Sequence, residues 1–189
     1  MNQPASQSPD SDGRVVDAVI LAAGKGTRMQ SDLPKVMHEI GDRPMLHWVV
    51  DACRTAGAKR IVVVVGFKGE LVRASLAGAN DIEFVEQTEQ LGTGHAVDQA
   101  RAAFVSTPNH DVFVLCGDGP LIRPETLETL LHTHRSAAAD ATLATAVIDD
   151  ATGYGRIVRD AAGGFSRIVE QKDATPEQLD IHEVNPSYY

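Results

Sequence analysis

A glycine-rich turn directly follows an apolar segment near the start of the chain, and this pairing most restricts the possible folds. Residues 15–21 read VVDAVIL, a composition typical of a strand that is buried on both faces. Gly24 and Gly26 follow, and they lack the Cβ atoms that would prevent the backbone from turning sharply and approaching an anion. The sequence therefore predicts a buried strand that ends in a phosphate-binding loop.

Basic side chains lie in and just after this turn. Lys25 and Arg28 belong to it, and Lys35 follows within Leu33-Pro34-Lys35. Arginine can bind two phosphate oxygens at once, whereas lysine acts as a mobile point charge. A bare G-x-G also occurs in ordinary strand-to-helix turns, so the spacing alone leaves both interpretations open. Met29 stands where the dinucleotide fingerprint has its third glycine, which argues against an NAD site. The Walker pattern is missing as well, which argues against a P-loop site.

Strand-like and helix-like segments alternate along most of the chain. The periodicity predicts strands at 15–21, 60–65, 82–85, 111–116 and 141–148, and helices at 44–55, 69–76, 94–103 and 124–135. This alternation predicts an α/β fold with a doubly wound, Rossmann-like, mostly parallel sheet. Residues 156–158 and 165–170 are instead typical of a β-hairpin with a glycine turn, which we expect to form a wall over the sheet.

Three polar motifs follow predicted strands, at residues 22–29, 87–95 and 117–120. Ligands of open α/β sheets bind beyond the carboxyl ends of the strands, so these motifs are expected at one edge. Asp118 is the lone carboxylate of the last motif. Mg²⁺ is usually held by one or two carboxylates together with substrate phosphates, but an Asp in a G-D-G-P turn is also common. The spacing alone leaves the metal and the turn interpretations open.

The charge distribution favours a small anionic ligand. The formal net charge is −9, yet residues 1–60 carry eight Lys and Arg against seven Asp and Glu, whereas residues 61–189 carry nine against nineteen. A nucleic-acid surface would need a basic stripe, which the sequence lacks. Residues 1–13 are polar and are expected to be a disordered tail rather than a signal peptide, and no apolar run approaches the roughly 18 residues of a membrane span. We therefore expect a cytoplasmic protein with neither nucleic-acid nor membrane partners.

Several motifs together resemble a known family. L-A-A-G-x-G-T-R-M with the following P-K is similar to the signature of the sugar-1-phosphate nucleotidyltransferases. The string Q-T-E-Q-L-G-T-G-H-A at 87–96 narrows the resemblance to the uridyltransferase domains of bacterial bifunctional N-acetylglucosamine-1-phosphate uridyltransferase/glucosamine-1-phosphate acetyltransferases. The remaining matching segments are Gly117-Asp118 and residues 153–157, 168–174 and 183–185.

The resemblance implies a specific reaction. In it, the phosphate of N-acetylglucosamine-1-phosphate attacks the α-phosphorus of UTP with Mg²⁺ as cofactor, giving pyrophosphate and UDP-N-acetylglucosamine, a precursor in peptidoglycan synthesis and cell wall biogenesis. The attacking phosphate is already an anion, so positioning and charge neutralisation would carry the catalysis. The implied catalytic residues are Arg28, Lys35 and Asp118, with Asp118 as the metal ligand.

The resemblance also implies the residues that bind the two halves of the product. The nucleotide-binding residues would be Leu21, Ala22, Ala23, Gly24, Lys25, Gly26, Gln87, Gly92, Thr93 and Gly117, and the sugar-binding residues Gly155, Glu170 and Asn185, with the hairpin forming the wall of the sugar site. An amide such as that of Gln87 can match the uracil edge. A polar loop followed by a helix capped at Thr93 is the alternative interpretation of that segment. For His95 the pattern favours a structural role.

Some features depart from the family pattern. Cys116 replaces a tyrosine, and Pro186 follows Asn185 where a small residue is usual. The family domain continues further and supplies a second metal-ligating Asn, so we expect a nucleotidyltransferase domain over 14–189 that is truncated at its C-terminal end, without the acetyltransferase β-helix. The alternatives are a transferase for another nucleotide, sugar phosphate or alcohol phosphate, and a non-catalytic UDP-sugar-binding fragment. The oligomeric state stays open.

Overall fold

The computed structural model describes residues 13–26, 29–105 and 109–189. The chain divides into two compact units, of which the first ends at Ala138 and the second extends from Ala139 to Tyr189. Most of the predicted tail lies outside the described residues. Within the described ranges, no helix has both the length and the apolar character that a membrane crossing requires.

The first unit contains a four-stranded parallel sheet. The strands of this unit are β1 (Val15–Ala22), β2 (Glu39–Ile40), β3 (Arg43–Pro44), β4 (Ile61–Val65), β5 (Ile82–Glu86) and β6 (His110–Cys116). Four of these form the sheet in the order β5-β4-β1-β6, with every neighbouring pair parallel, and β2 and β3 form a separate hairpin. The prediction of a parallel sheet is therefore confirmed. Because the chain proceeds from β1 to β4 and β5 on one side and then to β6 on the other, the strand order reverses between β1 and β6.

Helices flank this sheet and complete its core. They are α1 (Met45–Thr55), α2 (Gly69–Ser75), α3 (Thr93–Gln99), α4 (Arg101–Phe104) and α5 (Pro124–Ser136). All five residues of β4 are buried, and α1 contributes Leu46, Val49 and Cys53, each fully buried. The core is therefore mainly aliphatic, which agrees with an aromatic content of only 5%.

Two predicted elements differ from the structure. The single helix predicted at 94–103 is two helices, α3 and α4, which meet at Ala100. The long strand predicted at 141–148 is wrong: only β7 (Ala146–Val147) is a strand, and it pairs antiparallel within the second unit. Residues 141–145 are exposed or half-buried, so they lack the burial that would hold them in a central parallel strand.

The second unit is built on an antiparallel sheet. Beside β7 it contains β8 (Gly155–Arg159), β9 (Phe165–Val169), α6 (Pro176–Leu179) and β10 (Glu183–Asn185), and the strand order is β7-β10-β8-β9. The predicted hairpin is confirmed as β8 and β9. Its turn is held by the carboxylate of Asp160, which accepts hydrogen bonds from the backbone N–H groups of Ala162 and Gly164 at 2.9 and 2.8 Å.

Candidate functional site

The glycine turn after β1 packs closely against Lys35. Gly26 has φ +66°, and a Cβ atom there would lie only 2.7 Å from the Cβ of Lys35. At Gly24, by contrast, an added Cβ would meet no described atom within 4 Å. Leu21 and Ala22 end β1, and both Ala22 and Ala23 are buried. Gly26 is thus required for the close approach of the turn to Lys35, whereas Gly24 leaves space over the backbone.

Asp118 lies beside this turn because β6 runs next to β1. The backbone N–H of Gly117 donates to the carbonyl of Leu21 at 2.9 Å, which continues the pairing of the two strands. A Cβ at Gly117 would lie 3.1 Å from the same oxygen, so a side chain there would crowd the backbone. One residue further, the carboxylate of Asp118 forms an ion pair with Lys35 Nζ. The glycine turn, Lys35 and Asp118 therefore meet at the point where the strand order reverses.

The donor set at this edge fits a metal ion that is shared with a ligand. In the part of the chain that the structure describes, no group of three or more His, Cys, Asp or Glu side chains is arranged to hold a metal. The side chain of Asp118 is 26% exposed, so its oxygens can be reached. A single carboxylate binds Mg²⁺ well only when substrate phosphates complete the coordination. The arrangement therefore fits Mg²⁺ bound together with a polyphosphate.

The cations of the turn differ in their surroundings. Lys25 Nζ lies 5.2 Å from the centre of the Phe67 ring and borders a cavity of about 370 Å³ that Gln30, Ser31 and Asp32 also line. Arg28, the third predicted cation, lies outside the described residues. Of the predicted catalytic and phosphate-binding side chains, the structure therefore describes Lys25, Lys35 and Asp118, and the last two form an ion pair.

The second motif contacts the glycine turn through a residue that sequence reasoning missed. The carbonyl of Ala23 accepts a hydrogen bond from Gln90 Nε2 at 2.6 Å and another from the backbone N–H of Phe67 at 3.2 Å. Gln90 thereby joins the loop after β5 to the loop after β1. The sequence indicated a role for Gln90 only through its position inside the Q-T-E-Q-L-G string. No rule of residue spacing predicts that Gln90 contacts Ala23.

Gln87 is buried at the start of that loop, with only 5% of its surface exposed. Its backbone N–H donates to the carbonyl of Val65 at 2.8 Å. Its side-chain Nε2 lies 3.3 Å from the carbonyl oxygen of Gly92 and 3.1 Å from Nδ1 of His95. Gly92, at φ +103°, is the N-cap of α3 and Thr93 is its first residue, so the alternative interpretation of Thr93 as the cap is wrong.

The three predicted sugar-binding residues meet at one end of the second sheet. Gly155 pairs with Asn185 across β8 and β10, and a Cβ at Gly155 would lie 3.4 Å from Oε1 of Glu170. Asn185 is buried; its Nδ2 donates to Tyr189 Oη at 2.7 Å, and its Oδ1 accepts from the backbone N–H of Ser187 at 3.0 Å. An amide has two N–H groups and two carbonyl lone pairs, so one of each remains for another partner.

Comparisons with known proteins agree with this geometry. The bifunctional protein GlmU of Pelobacter propionicus is 51% identical over 174 residues, which cover 92% of this chain and 38% of that protein. The bifunctional protein GlmU of Burkholderia lata is 52% identical over 170 residues, which cover 90% of this chain and 36% of that protein. The chain thus spans less than two fifths of the length of these relatives.

A fold comparison and a family model complete the assignment. A crystal structure of UDP-glucose pyrophosphorylase complexed with UDP-glucose superimposes with a TM-score of 0.72 at 18% identity, covering 92% of this chain and 74% of that one. At that identity the likeness shows the fold alone. Residues 18–160, which include all of the parallel sheet except the first three residues of β1, match the model of the MobA-like NTP transferase domain. The chain therefore belongs to the MobA-like NTP transferase family.

Proposed function

We propose that this chain catalyses Mg²⁺-dependent uridylyl transfer from UTP to N-acetylglucosamine-1-phosphate, giving UDP-N-acetylglucosamine and pyrophosphate. The observation that carries the proposal is the meeting of Gly26, Lys35 and Asp118 where the strand order reverses. A glycine turn, a lysine and a lone carboxylate are the components that a nucleoside triphosphate with its metal requires. Identities of about 50% to bifunctional GlmU proteins support the substrate pair.

Each residue at the parallel-sheet edge has a defined task in this reaction. The backbone N–H groups of the turn bind phosphate oxygens, and Lys25 and Lys35 neutralise the charge of the triphosphate. The phosphate of the sugar substrate attacks the α-phosphorus, the bond to the β-phosphate breaks, and pyrophosphate leaves with the electron pair. Asp118 would hold Mg²⁺, which when bound neutralises charge on the phosphate oxygens. Since the attacking oxygen is already anionic, the residues position the substrates rather than remove a proton.

The remaining predicted residues recognise the base and the sugar. We assign Gln87, Gly92 and Thr93 to uridine, and Gly155, Glu170 and Asn185 to N-acetylglucosamine. Glu170 would accept hydrogen bonds from sugar hydroxyls, and the remaining N–H of Asn185 would donate to the N-acetyl carbonyl. Because UTP is a cytoplasmic metabolite, we also propose a cytoplasmic location.

A pyrophosphate-release assay tests the proposal. We expect release only when UTP, N-acetylglucosamine-1-phosphate and Mg²⁺ are all present, and lower rates with CTP, GTP or glucose-1-phosphate. Equal or faster release with CTP or GTP would contradict the uridine assignment. Binding of UDP-N-acetylglucosamine in calorimetry without pyrophosphate release under any combination would instead favour a non-catalytic UDP-sugar-binding protein.

A further inference from the structure

Three side chains form a continuous hydrogen-bonded chain behind the proposed base site. Gln87 Nε2 lies 3.1 Å from Nδ1 of His95, and the other ring nitrogen of His95, Nε2, lies 3.1 Å from Nε2 of the Gln99 side-chain amide. His95 and Gln99 are half-buried on α3, four residues apart, and Gln87 is buried. We refer to Gln87, His95 and Gln99 as the amide–imidazole chain.

Hydrogen-bond chemistry allows one arrangement of protons along this chain. A neutral imidazole has one N–H donor and one lone pair, so the two ring nitrogens need partners of opposite kind. The carbonyl oxygen of Gly92, 3.3 Å from Gln87 Nε2, can only accept, which fixes that end of Gln87 as the NH₂ group. Nδ1 of His95 then accepts the second N–H of Gln87. His95 Nε2 must then carry the proton, and it needs an acceptor. We therefore assign the Gln99 amide the opposite orientation, with its carbonyl oxygen toward the ring in place of Nε2, because the two ends of an amide have the same shape.

This arrangement leaves the carbonyl oxygen of Gln87 as the group available to a ligand. Turning the Gln87 amide around would place its carbonyl oxygen against the Gly92 carbonyl oxygen and the His95 Nδ1 lone pair, so that acceptors would face each other beside a buried side chain. The Gly92 carbonyl and the His95 ring therefore fix the orientation of Gln87. His95 and Gln99 need not contact the base themselves.

On this basis, and resting on the proposed function, we propose that His95 and Gln99 are positioning residues that make the site selective for uracil over cytosine. Uracil presents an N3–H donor, whereas cytosine presents an N3 lone pair at the same place. A Gln87 carbonyl that cannot turn accepts from uracil and opposes the cytosine lone pair. A Gln87 amide that could turn would bind either base.

Substitution of Gln99 tests this proposal through the ratio of kcat/KM for UTP to kcat/KM for CTP. General damage to the fold would lower both values and leave their ratio unchanged. Gln99→Lys places a donor at His95 Nε2, which moves the ring proton to Nδ1 and turns the Gln87 amide. We expect kcat/KM for UTP to fall and that for CTP to rise, lowering the UTP/CTP ratio by about three- to tenfold, the range of one hydrogen bond between neutral groups. Gln99→Leu removes the acceptor without imposing a donor and should lower the ratio less. Asp98→Asn, on the exposed side of the same helix, is the control and should leave the ratio unchanged. An unchanged ratio in Gln99→Lys would overturn the proposal.

Nitrogen-15 NMR of the histidine rings tests the same chain without catalysis. At about pH 8, where imidazoles are neutral, we expect His95 to be protonated at Nε2 in the parent and at Nδ1 in Gln99→Lys. In Gln99→Leu the Gln87 amide still donates to Nδ1, so the proton should stay on Nε2. A parent protonated at Nδ1, or a proton position that Gln99→Lys does not alter, would overturn the proposal. If no nucleotide supports pyrophosphate release, the proposed function fails, while the NMR result still decides whether the chain orients Gln87.

Discussion

The two candidate binding regions differ in where they place their functional groups. At the parallel sheet, Gly26 and Asp118 lie on loops beyond the strands and Lys35 begins a short 3-10 helix, and the side chains of Lys35 and Asp118 are 45% and 26% exposed. At the antiparallel sheet, Gly155 and Asn185 lie within paired strands, and Asn185 is 8% exposed. One region presents charges beyond the strands, whereas the other combines neutral groups within paired strands with one exposed carboxylate, Glu170, just after β9.

This difference follows from the ligands that the regions are proposed to bind. A polyphosphate needs cations and close backbone approach, which exposed loops provide at little cost to stability. A sugar needs neutral hydrogen bonds in fixed directions, and a buried side chain with its own partners provides them. We therefore expect substitutions at the first region to reduce activity while stability is kept, and substitutions at the second region to reduce stability.

The largest effect is expected for Asp118→Asn. The substitution keeps the shape but removes the charge proposed to hold Mg²⁺, so kcat should fall by at least about 10²-fold. The ion pair with Lys35 is partly exposed, so the free energy of unfolding should change by less than about 0.5 kcal/mol. Steady-state rates and urea unfolding measure the two effects. Asp42→Asn, an exposed carboxylate in the turn between β2 and β3, is the control. A parental rate in Asp118→Asn would favour the simple turn interpretation of Asp118.

Two alanine substitutions in the glycine turn show where a change in the first region should reduce stability and where it should not. Gly26→Ala places a side chain at φ +66° and 2.7 Å from Lys35 Cβ, so the free energy of unfolding should fall by about 2 kcal/mol. The turn must then move away from Lys35, so the dissociation constant of UTP should rise. Gly24→Ala meets no described atom within 4 Å and should change stability by less than about 0.5 kcal/mol. Similar unfolding curves for both variants would show that the close approach to Lys35 does not constrain the turn.

Much of the first region could be predicted from the sequence. The β-branched run Ile61–Val65 indicated a buried strand without knowledge of its partners. The rule that ligands bind beyond the carboxyl ends of strands placed the glycine turn and Asp118 at one edge, where Asp118 contacts Lys35. Both inferences depend on local composition and on a general property of parallel sheets.

The remaining features depend on contacts between segments that are distant in sequence. Residues 141–148 have strand-like composition, but only Ala146 and Val147 pair, and their partner is the three-residue strand β10, almost forty residues later. The contact of Gln90 with the backbone carbonyl of Ala23 joins residues 67 positions apart, and the i, i+4 pair of His95 and Gln99 gains its third member only where Gln87 of the preceding loop reaches the same ring. Only the folded chain shows which polar side chains are already engaged with each other.

In the second region, Tyr189→Phe should reduce stability. It removes the hydroxyl that accepts the hydrogen bond of Asn185 Nδ2 at 2.7 Å and leaves a buried amide short of one partner. The free energy of unfolding should fall by about 1 kcal/mol. Tyr154→Phe is the matched control, since the Tyr154 side chain is 45% exposed. Equal stability of the two variants in urea titrations would mean that Asn185 does not depend on its internal partner, and the contrast between the regions would weaken.

The smallest effect is expected for Arg159→Gln at the end of β8 in the same sheet. The Arg159 guanidinium donates to both carboxylate oxygens of Glu183, at 2.8 and 2.7 Å, and these hydrogen bonds, with a smaller one from Thr145, hold the pKa of Glu183 below its ordinary value of 4.5. A lowered carboxyl pKa contributes stability that is present above the ordinary value and is lost as the pH falls through the lowered one.

The difference in stability between parent and Arg159→Gln should therefore be full at pH 7, shrink as the pH falls below 4.5, and vanish once Glu183 is protonated in both proteins. Urea unfolding across this pH range measures it. Arg167→Gln, an exposed arginine on β9, removes the same charge and should give no such pH dependence. A difference that persists at low pH would assign the effect of Arg159 to packing of its aliphatic stem instead of to its bond with Glu183.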